Sequence, residues 1–349
     1  MNLFPALVTL ALILVPIKGM GSEAREGTCS ARMIAAANER REGRSDPFEE
    51  DVSAVVMLRQ GIRNLRDSQK DSALCIASGA RFPWLREVWP SKDQKFWISS
   101  DGKVGPELIE MVERFSDYAY DRLTLFLDHD LPNTFDILLL NASVPRYRND
   151  PFHRALELCL PTINNMGVGA YALDGIAVFC FNRHFNDQQI DEILPTVQRA
   201  ILHELFHVAQ YQLVAPGSKH HQDDFVANFG PAWLLEGSAQ VFQDVRSEFC
   251  TERGMQFLIS RASKDLTGIS SLVEYEQFWA LQDEAYDVSH YATCLLALNR
   301  GIEGIVEFYK ILGEGKRWRI AFQAAFEVDY DAFVELVEAK VSSERKGTP

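Results

Sequence analysis

The 349-residue chain lacks several features that would assign it to well-defined classes of protein. Its 35 basic residues are outnumbered by 49 acidic ones, and the net charge of −14 disfavours nucleic acid and anionic lipid as partners. It contains no internal repeat and no low-complexity tract. Beyond residue 17, no apolar stretch is long enough to cross a bilayer. These absences favour a globular protein with no nucleic-acid or membrane partner, and they define no oligomeric state.

The apolar stretch over residues 3–17 is short for a membrane span, and small residues follow it. Ser22 and Ala24 stand at the two positions that a signal peptidase inspects. The pattern predicts a secretory signal peptide over residues 1–24 and a secreted or periplasmic protein without a membrane anchor after cleavage. An uncleaved N-terminal anchor is the alternative.

The chain has six cysteines but no CxxC pair, so a thiolate zinc site is not predicted. An even number of cysteines behind a predicted signal peptide indicates disulfides, although sequence alone does not define their connectivity. Cys159 and Cys180 flank a glycine-containing stretch and are the preferred pair. Two further pairs follow only by default: Cys29 with Cys75, and Cys250 with Cys294.

Apolar periodicity predicts the main helices and strands. Scattered apolar positions at helical spacing predict an N-terminal helical segment over residues 25–105. An amphipathic helix is predicted from Ile109 to Phe126, and buried strands are predicted over residues 135–140 and 175–181. Asn141 begins an Asn-Ala-Ser glycosylation sequon, which is relevant only in a eukaryotic secretory pathway.

The string His203-Glu204-Leu205-Phe206-His207 stands near the middle of the chain. Residues four apart in a helix lie one above the other, so His203 and His207 can bind one ion from successive turns. The flanking sequence is apolar, which indicates a buried helix in which both imidazoles need partners. Glu204 is then placed to act on a water molecule rather than to bind the metal. A surface helix with two stacked histidines is the alternative.

A second element supplies a third metal ligand. The Gly-Pro pair at residues 230–231 predicts a loop that leads into a helix, and Glu236 would lie inside that apolar helix. An unpaired carboxylate is costly there, and metal binding removes the cost. Gly237 and Ala239 are small and allow close approach to the first helix. Gln240, one turn beyond Glu236, could hydrogen-bond a ligand imidazole. A salt-bridged helix residue is the alternative for Glu236.

His203-Glu204-x-x-His207 followed by Glu236-Gly237-x-Ala239 resembles the gluzincin zinc metallopeptidases, in particular those with a peptidase MA-like domain. The resemblance implies an α+β, zincin-like fold over residues 106–345, with a small mixed sheet over an active-site helix and a helical C-terminal half. It also implies that the strand before the active-site helix lies at the edge of the sheet. It implies that His203, His207 and Glu236 hold Zn²⁺ and that Glu204 is the general base. Some relatives have an acidic residue where this chain has Gln240.

The motif and the resemblance together predict a secreted zinc-dependent peptidase that acts on peptide or protein substrates. The tetrahedral oxyanion of the substrate needs a further hydrogen-bond donor, for which Tyr291 is the first candidate and His290 and Tyr286 are the next. The alternatives are a secreted zinc-binding protein of the same fold without peptidase activity, and a helical structural protein with an accidental motif. His220 and His221, in the polar loop over residues 216–224, could bind a second cation, although a solvated loop is the default interpretation.

Overall fold

The structure is a computed structural model. It describes residues 87–90, 95–101, 103–143, 156–157, 159–173, 176–183, 185, 187–214, 225–244, 250–265, 271–276 and 283–347. Within these ranges, no helix combines the length and the apolar character that a membrane span requires.

A five-stranded mixed sheet forms the β part of this α+β fold. Its strands are β1 (Glu87–Pro90), β2 (Phe96–Ser100), β3 (Phe135–Asn141), β4 (Val168–Leu173) and β5 (Ile176–Phe181). The spatial order is β1-β2-β3-β5-β4. The three inner strands are parallel to one another, while β1 and β4 pair antiparallel at the two edges.

Alternating side chains divide the sheet into two buried faces, as the two-residue period of a strand requires. On one face, Phe135, Ile137 and Leu139 of β3 join the main core formed with the helices. On the other face, Leu138 and Leu140 join a smaller apolar cluster. β5 is apolar throughout and β3 is apolar from Ile137 to Leu140, which is typical of parallel strands buried on both faces.

Helices make up most of the described chain. They are α1 (Pro106–Leu127), α2 (Asp187–Val214), α3 (Phe225–Phe229), α4 (Ala232–Gln243), α5 (Glu252–Asp265), α6 (Asp283–Gly313), α7 (Trp318–Phe326) and α8 (Tyr330–Gly347). Short 3₁₀ segments occupy Leu160–Thr162 and Leu272–Tyr275. Helix α6 is interrupted at Gly301, whose φ of 71° and ψ of 177° are not helical. Glycine adopts this backbone conformation without the strain that a Cβ would add.

Several sequence predictions are confirmed. Helix α1 contains the amphipathic run predicted from Ile109 to Phe126, and β3 and β5 match the two predicted strands within one residue at either end. The chain after Glu236 is helical in the described residues, apart from turns and the second 3₁₀ segment. The Gly-Pro pair at residues 230–231 leads into α4, with Pro231 as its N-cap residue.

Two predictions are wrong. We expected residues 25–105 to be helical, but β1 and β2 lie within this range. The strand β2 forms because Phe96, Trp97 and Ile98 are typical strand formers, and they pack into the sheet. The rest of that segment up to residue 86, and the signal peptide predicted over 1–24, lie outside the described residues. The strand before α2 is also not at the edge: β5 pairs with β3 on one side and β4 on the other. The edge strand on that side of the sheet is β4, which was not among the predicted strands.

Two disulfides occur among the described residues. Cys159–Cys180 confirms the preferred pair and fastens the segment before the first 3₁₀ turn to β5. Cys250–Cys294 confirms a pair that was assigned by default and joins the start of α5 to α6. The predicted partners Cys29 and Cys75 lie outside the described residues.

The Asn141 side chain is enclosed in the folded chain, with 1% of its surface exposed. Its amide nitrogen donates to the carbonyl of Lys103 at 2.9 Å. Its amide oxygen accepts from the backbone N–H and the hydroxyl of Ser143. The sequon therefore forms a structural turn at the end of β3, and the folded protein does not present this asparagine for glycosylation.

Gly237 is the point of closest approach between α4 and α6. A Cβ at this position would collide with the Thr293 hydroxyl and with the Ser289 carbonyl of α6. Small size at residue 237 thus serves packing against α6, rather than against the helix with the two histidines as the sequence analysis proposed. The backbone carbonyl cannot rotate away, so the contact constrains the separation of the two helices.

We expect Gly237→Ala to lower the free energy of unfolding by about 1–3 kcal/mol, the usual cost of overpacking a close-packed contact. Urea unfolding followed by circular dichroism measures the change. Gly105→Ala is the matched control, because a Cβ there meets only ordinary contact at 3.4 Å and should change stability by less than about 1 kcal/mol. Equal stability of the Gly237→Ala and wild-type proteins would contradict the close-contact interpretation.

Candidate metal centre

Helices α2 and α4 bring three potential metal ligands to one point. His203 and His207 lie one turn apart on the same face of α2, and Glu236 reaches them from α4. The Nε2 atom of His203 lies 3.1 Å from His207 Nε2 and 3.2 Å from Glu236 Oε2. His207 Nε2 lies 3.5 Å from the same carboxylate oxygen. The three predicted ligands therefore form a compact triangle, which we call the triad.

The dimensions of the triad fit a tetrahedral metal ion. Zinc binds nitrogen and oxygen at about 2.0–2.2 Å, and tetrahedral geometry then separates two ligand atoms by about 3.3–3.6 Å. The observed separations of 3.1, 3.2 and 3.5 Å are close to these values. The triad can hold a metal ion through two imidazoles and one carboxylate. Side-chain exposure is 14% for His203 but only 7% for His207 and 6% for Glu236, so the triad is most accessible from the His203 side.

Electrostatic pairing between His207 and Glu236 offsets the cost of burying both groups. Burial alone would lower the pKa of His207, but the carboxylate of Glu236 raises it to about 9. Burial would likewise raise the pKa of Glu236, yet the charge of His207 and the hydrogen bond from His203 hold it well below its usual range. Glu236 therefore stays ionised, as a metal ligand must be.

Glu204 has a different environment from Glu236 although both are buried. It is 7% exposed and directly follows the first histidine on α2. Burial raises the pKa of its carboxyl group, the charges of His203 and His207 oppose this shift, and the charge of Glu236 adds to it. A carboxylate with a raised pKa is a better proton acceptor near neutral pH than an exposed one.

Gln210 fixes the orientation of His207, and the sequence analysis did not identify it. Its amide nitrogen donates to the carbonyl of Leu235 at 3.0 Å, which turns its amide oxygen towards Nδ1 of His207 at 2.7 Å. An amide oxygen only accepts hydrogen bonds, so Nδ1 carries a proton, and in the neutral form of His207 that can bind a metal the lone pair is on Nε2, within the triad. The sequence feature that could have identified Gln210 is its position three residues after His207, which places both side chains on one face of α2.

Gln240 does not take the role that we predicted for it. It is buried, with 8% exposure, but its amide oxygen has no hydrogen-bond partner among the described residues. The imidazole nitrogen of His207 that points away from the triad is already bound by Gln210.

The three residues predicted as candidate hydrogen-bond donors to the substrate oxyanion all lie on α6. Tyr291 is buried, and burial together with the carboxylate of Glu344 on α8 raises its pKa to about 12. The charge of His203 acts instead on the residue next to Tyr291, His290. Tyr286 is half-buried, one turn before His290. His290, rather than Tyr291, is therefore the α6 side chain that is electrostatically linked to the triad.

Burial lowers the pKa of His290 to about 4. Among nearby charges, Asp244 opposes this shift, while His203 and Arg261 add to it. His290 is therefore a neutral imidazole at physiological pH, able to donate one hydrogen bond and to accept another.

His129 is not part of the triad. His129 is exposed, and its Nδ1 lies 2.8 Å from the carbonyl of Asp130. The polar loop over residues 216–224 lies outside the described residues, and the second cation site proposed there is untested.

No protein-family model matches the chain, and a search of the curated proteins finds no significant match. What the geometry defines is a mixed α+β protein with a His-His-Glu group that can hold a metal ion.

We expect Gln210→Ala to weaken metal binding by about 10–100-fold, because removing a hydrogen-bond partner frees the ligand imidazole to rotate. Competition with a chromophoric chelator measures the affinity. Gln212→Ala is the matched control: Gln212 lies on the same helix and is also buried, but it hydrogen-bonds to Asn133 and not to the triad. Equal affinity of the two variants would contradict the orienting role of Gln210.

We expect His290 to make the metal-free protein sensitive to acid. Because its folded-state pKa of about 4 lies below the unfolded value of about 6.5, its contribution to stability is present above pH 6.5 and is lost as the pH falls towards 4. The loss between pH 7 and pH 5 is about 2 kcal/mol. Urea unfolding at the two pH values should show a smaller loss for His290→Gln than for the wild type; an identical loss would contradict the assignment.

Proposed function

We propose that the protein is a secreted zinc-dependent peptidase of the gluzincin type. The observation that carries the proposal is the triad: His203, His207 and Glu236 place three donor atoms within 3.5 Å of one another. Glu204 lies beside it as a buried carboxylate that is not one of the three donors. A donor set of two imidazoles and one carboxylate is common in catalytic zinc sites, which leave a fourth position open.

Zinc is the metal that these donors favour. Imidazole nitrogen suits zinc, and the small triangle of donors suits its tetrahedral geometry better than an octahedral ion such as Mg²⁺. When bound, zinc would lower the pKa of a water molecule and polarise the carbonyl of a scissile bond.

Glu204 would provide the proton transfers. Its raised pKa suits it to accept a proton from the attacking water and then to deliver it to the leaving amine. His203 and His207 act on Glu204 as positive charges, and Glu236 acts as a negative one, so its basicity depends on the triad.

His290 would donate a hydrogen bond to the oxygen that becomes negative during hydrolysis. Its neutral imidazole and the effect of the His203 charge on it support this role better than the environment of Tyr291, whose pKa is affected by Glu344 of α8. Tyr291 and Tyr286 stay as candidates that the same activity measurements can test.

The edge strand β4 supports a peptide as substrate. β4 pairs with β5 on one side, and no described strand pairs with its other side. It packs against α2, the helix that carries the two histidines. An open strand edge can bind an extended peptide through backbone hydrogen bonds. The mixed sheet beside α2 and the helical second half also agree with the zincin-like fold that the resemblance implies.

The proposed secretion has two sources of support. Structural disulfides are typical of oxidising compartments, and the described residues contain two of them. The signal peptide predicted over residues 1–24 agrees with this location, either outside the cell or in the periplasm.

We expect Glu204→Gln to reduce peptide hydrolysis by about 10²–10⁴-fold, because the variant keeps the shape of the side chain but removes its basicity. Fluorogenic peptide cleavage measures the activity, and elemental analysis of the purified protein measures the metal. Glu192→Gln is the matched control, since it makes the same change at an exposed position of α2.

Normal activity of Glu204→Gln would refute the mechanism. If wild-type protein binds about one zinc ion per chain but cleaves no peptide or denatured protein, with or without chelator, a zinc-binding protein without peptidase activity is the correct assignment. Absence of bound metal in the wild type would refute both.

A further inference from the structure

The described residues contain a second group of potential metal ligands, and the charge of His203 in the triad acts on one of its members, His290. This second group consists of Cys250, His290 and Cys294, whose sulfur and ring-nitrogen atoms all lie within 4.8 Å of one another. His290 and Cys294 are four residues apart on α6, so they stand on one face in the same way as His203 and His207 on α2. Cys250 lies two residues before the start of α5. In the oxidised chain the two sulfurs are bonded to each other and are not available as ligands.

We propose that reduction of the Cys250–Cys294 disulfide opens a second metal site, in which two thiolates and the His290 imidazole bind a zinc-like divalent cation. A dithiol reductant supplies the two electrons: its own thiols are oxidised to a disulfide while the Cys250–Cys294 bond is cleaved to two thiols. Binding of the cation then releases two protons as the thiols become thiolates. The soft sulfur donors and the imidazole select zinc, or its analogue cadmium, over Mg²⁺ and Ca²⁺.

The local packing allows the site to form with little movement. Zinc-bound thiolates lie about 3.7 Å apart, given Zn–S distances near 2.3 Å and tetrahedral geometry, so the two sulfurs must separate after reduction. Cys294 and His290 are buried within α6, at 0% and 7% exposure, and stay fixed by the helix. Cys250 is half-buried and lies in a turn before α5. Rotation of its side chain and a small shift of this turn can therefore separate the two sulfurs.

His290 links this site to the triad. The charge of His203 acts on it, and it stands in the same helix as Cys294. A metal ion bound by the two thiolates would withdraw the His290 imidazole from the triad. The existence of the second site does not depend on the proposed peptidase activity; only an effect of reduction on turnover, through His290, would rest on that proposed function.

Metal stoichiometry of the purified full chain tests the proposal. The protein is incubated with Zn²⁺, with and without tris(carboxyethyl)phosphine, then passed over a desalting column and assayed by elemental analysis. We expect about one ion per chain in the oxidised protein and about two after reduction. Replacing Zn²⁺ by Co²⁺ should add a thiolate-to-metal charge-transfer absorption to the reduced protein only.

Two variants separate this site from binding by other thiols, because both keep the remaining cysteines. The double variant Cys250→Ser/Cys294→Ser should bind about one ion under both conditions, and His290→Ala should weaken the second ion at least tenfold after reduction. Failure of the reduced wild type to bind a second ion, or binding that neither variant weakens, overturns the proposal.

Circular dichroism of the reduced chain provides a second measurement. If reduction unfolds the chain, added Zn²⁺ should restore the helical signal of the wild type but not that of His290→Ala. A reduced wild type that neither binds a second ion nor recovers its helicity overturns the proposal in that case as well.

Discussion

The structure depends on one buried carboxylate that is neutralised by two imidazoles. Glu236 is 4% exposed, and a carboxylate taken this far from water would be strongly destabilising without a compensating charge. His207 provides that charge, and His203 adds a hydrogen bond, because α2 and α4 are packed against each other. The Gly237 contact with α6 and the Trp233–Tyr330 hydrogen bond of 3.2 Å fix α4 from two other directions.

The parts that could be predicted from the sequence are those set by local spacing. The four-residue separation of His203 and His207 places them on one helix face, whatever surrounds the helix. The apolar runs that become β3 and β5 are long enough to indicate burial on both faces. Glu236 could be identified as a ligand because a carboxylate inside an apolar helix requires a charged or hydrogen-bonding partner. The two histidines of the motif are the partners that the sequence offers.

What the sequence could not provide depends on packing between distant segments. Gln210 and Gln240 both lie within a turn of a triad residue, but only the first one finds the Leu235 carbonyl that orients its amide. β5 was expected at the edge of the sheet, but β4 pairs antiparallel along its outer side. The short Val-Gly-Ala-Tyr-Ala-Leu sequence of β4 has only a weak alternation of apolar and polar residues, so it did not indicate a strand. The choice between His290 and Tyr291 likewise depends on how α6 is rotated.

The interruption at Gly301 allows two parts of α6 to contact α4. A continuous helix of 31 residues would be a straight rod about 46 Å long, and only one part of it could reach α4. Because the rod is broken, the portion before Gly301 brings Ser289 and Thr293 to Gly237, and the portion after it brings Tyr309 to the Leu234 carbonyl. Helix α6 thereby contacts α4, which carries Glu236, at two positions. A change that made α6 continuous through Gly301 would weaken both contacts.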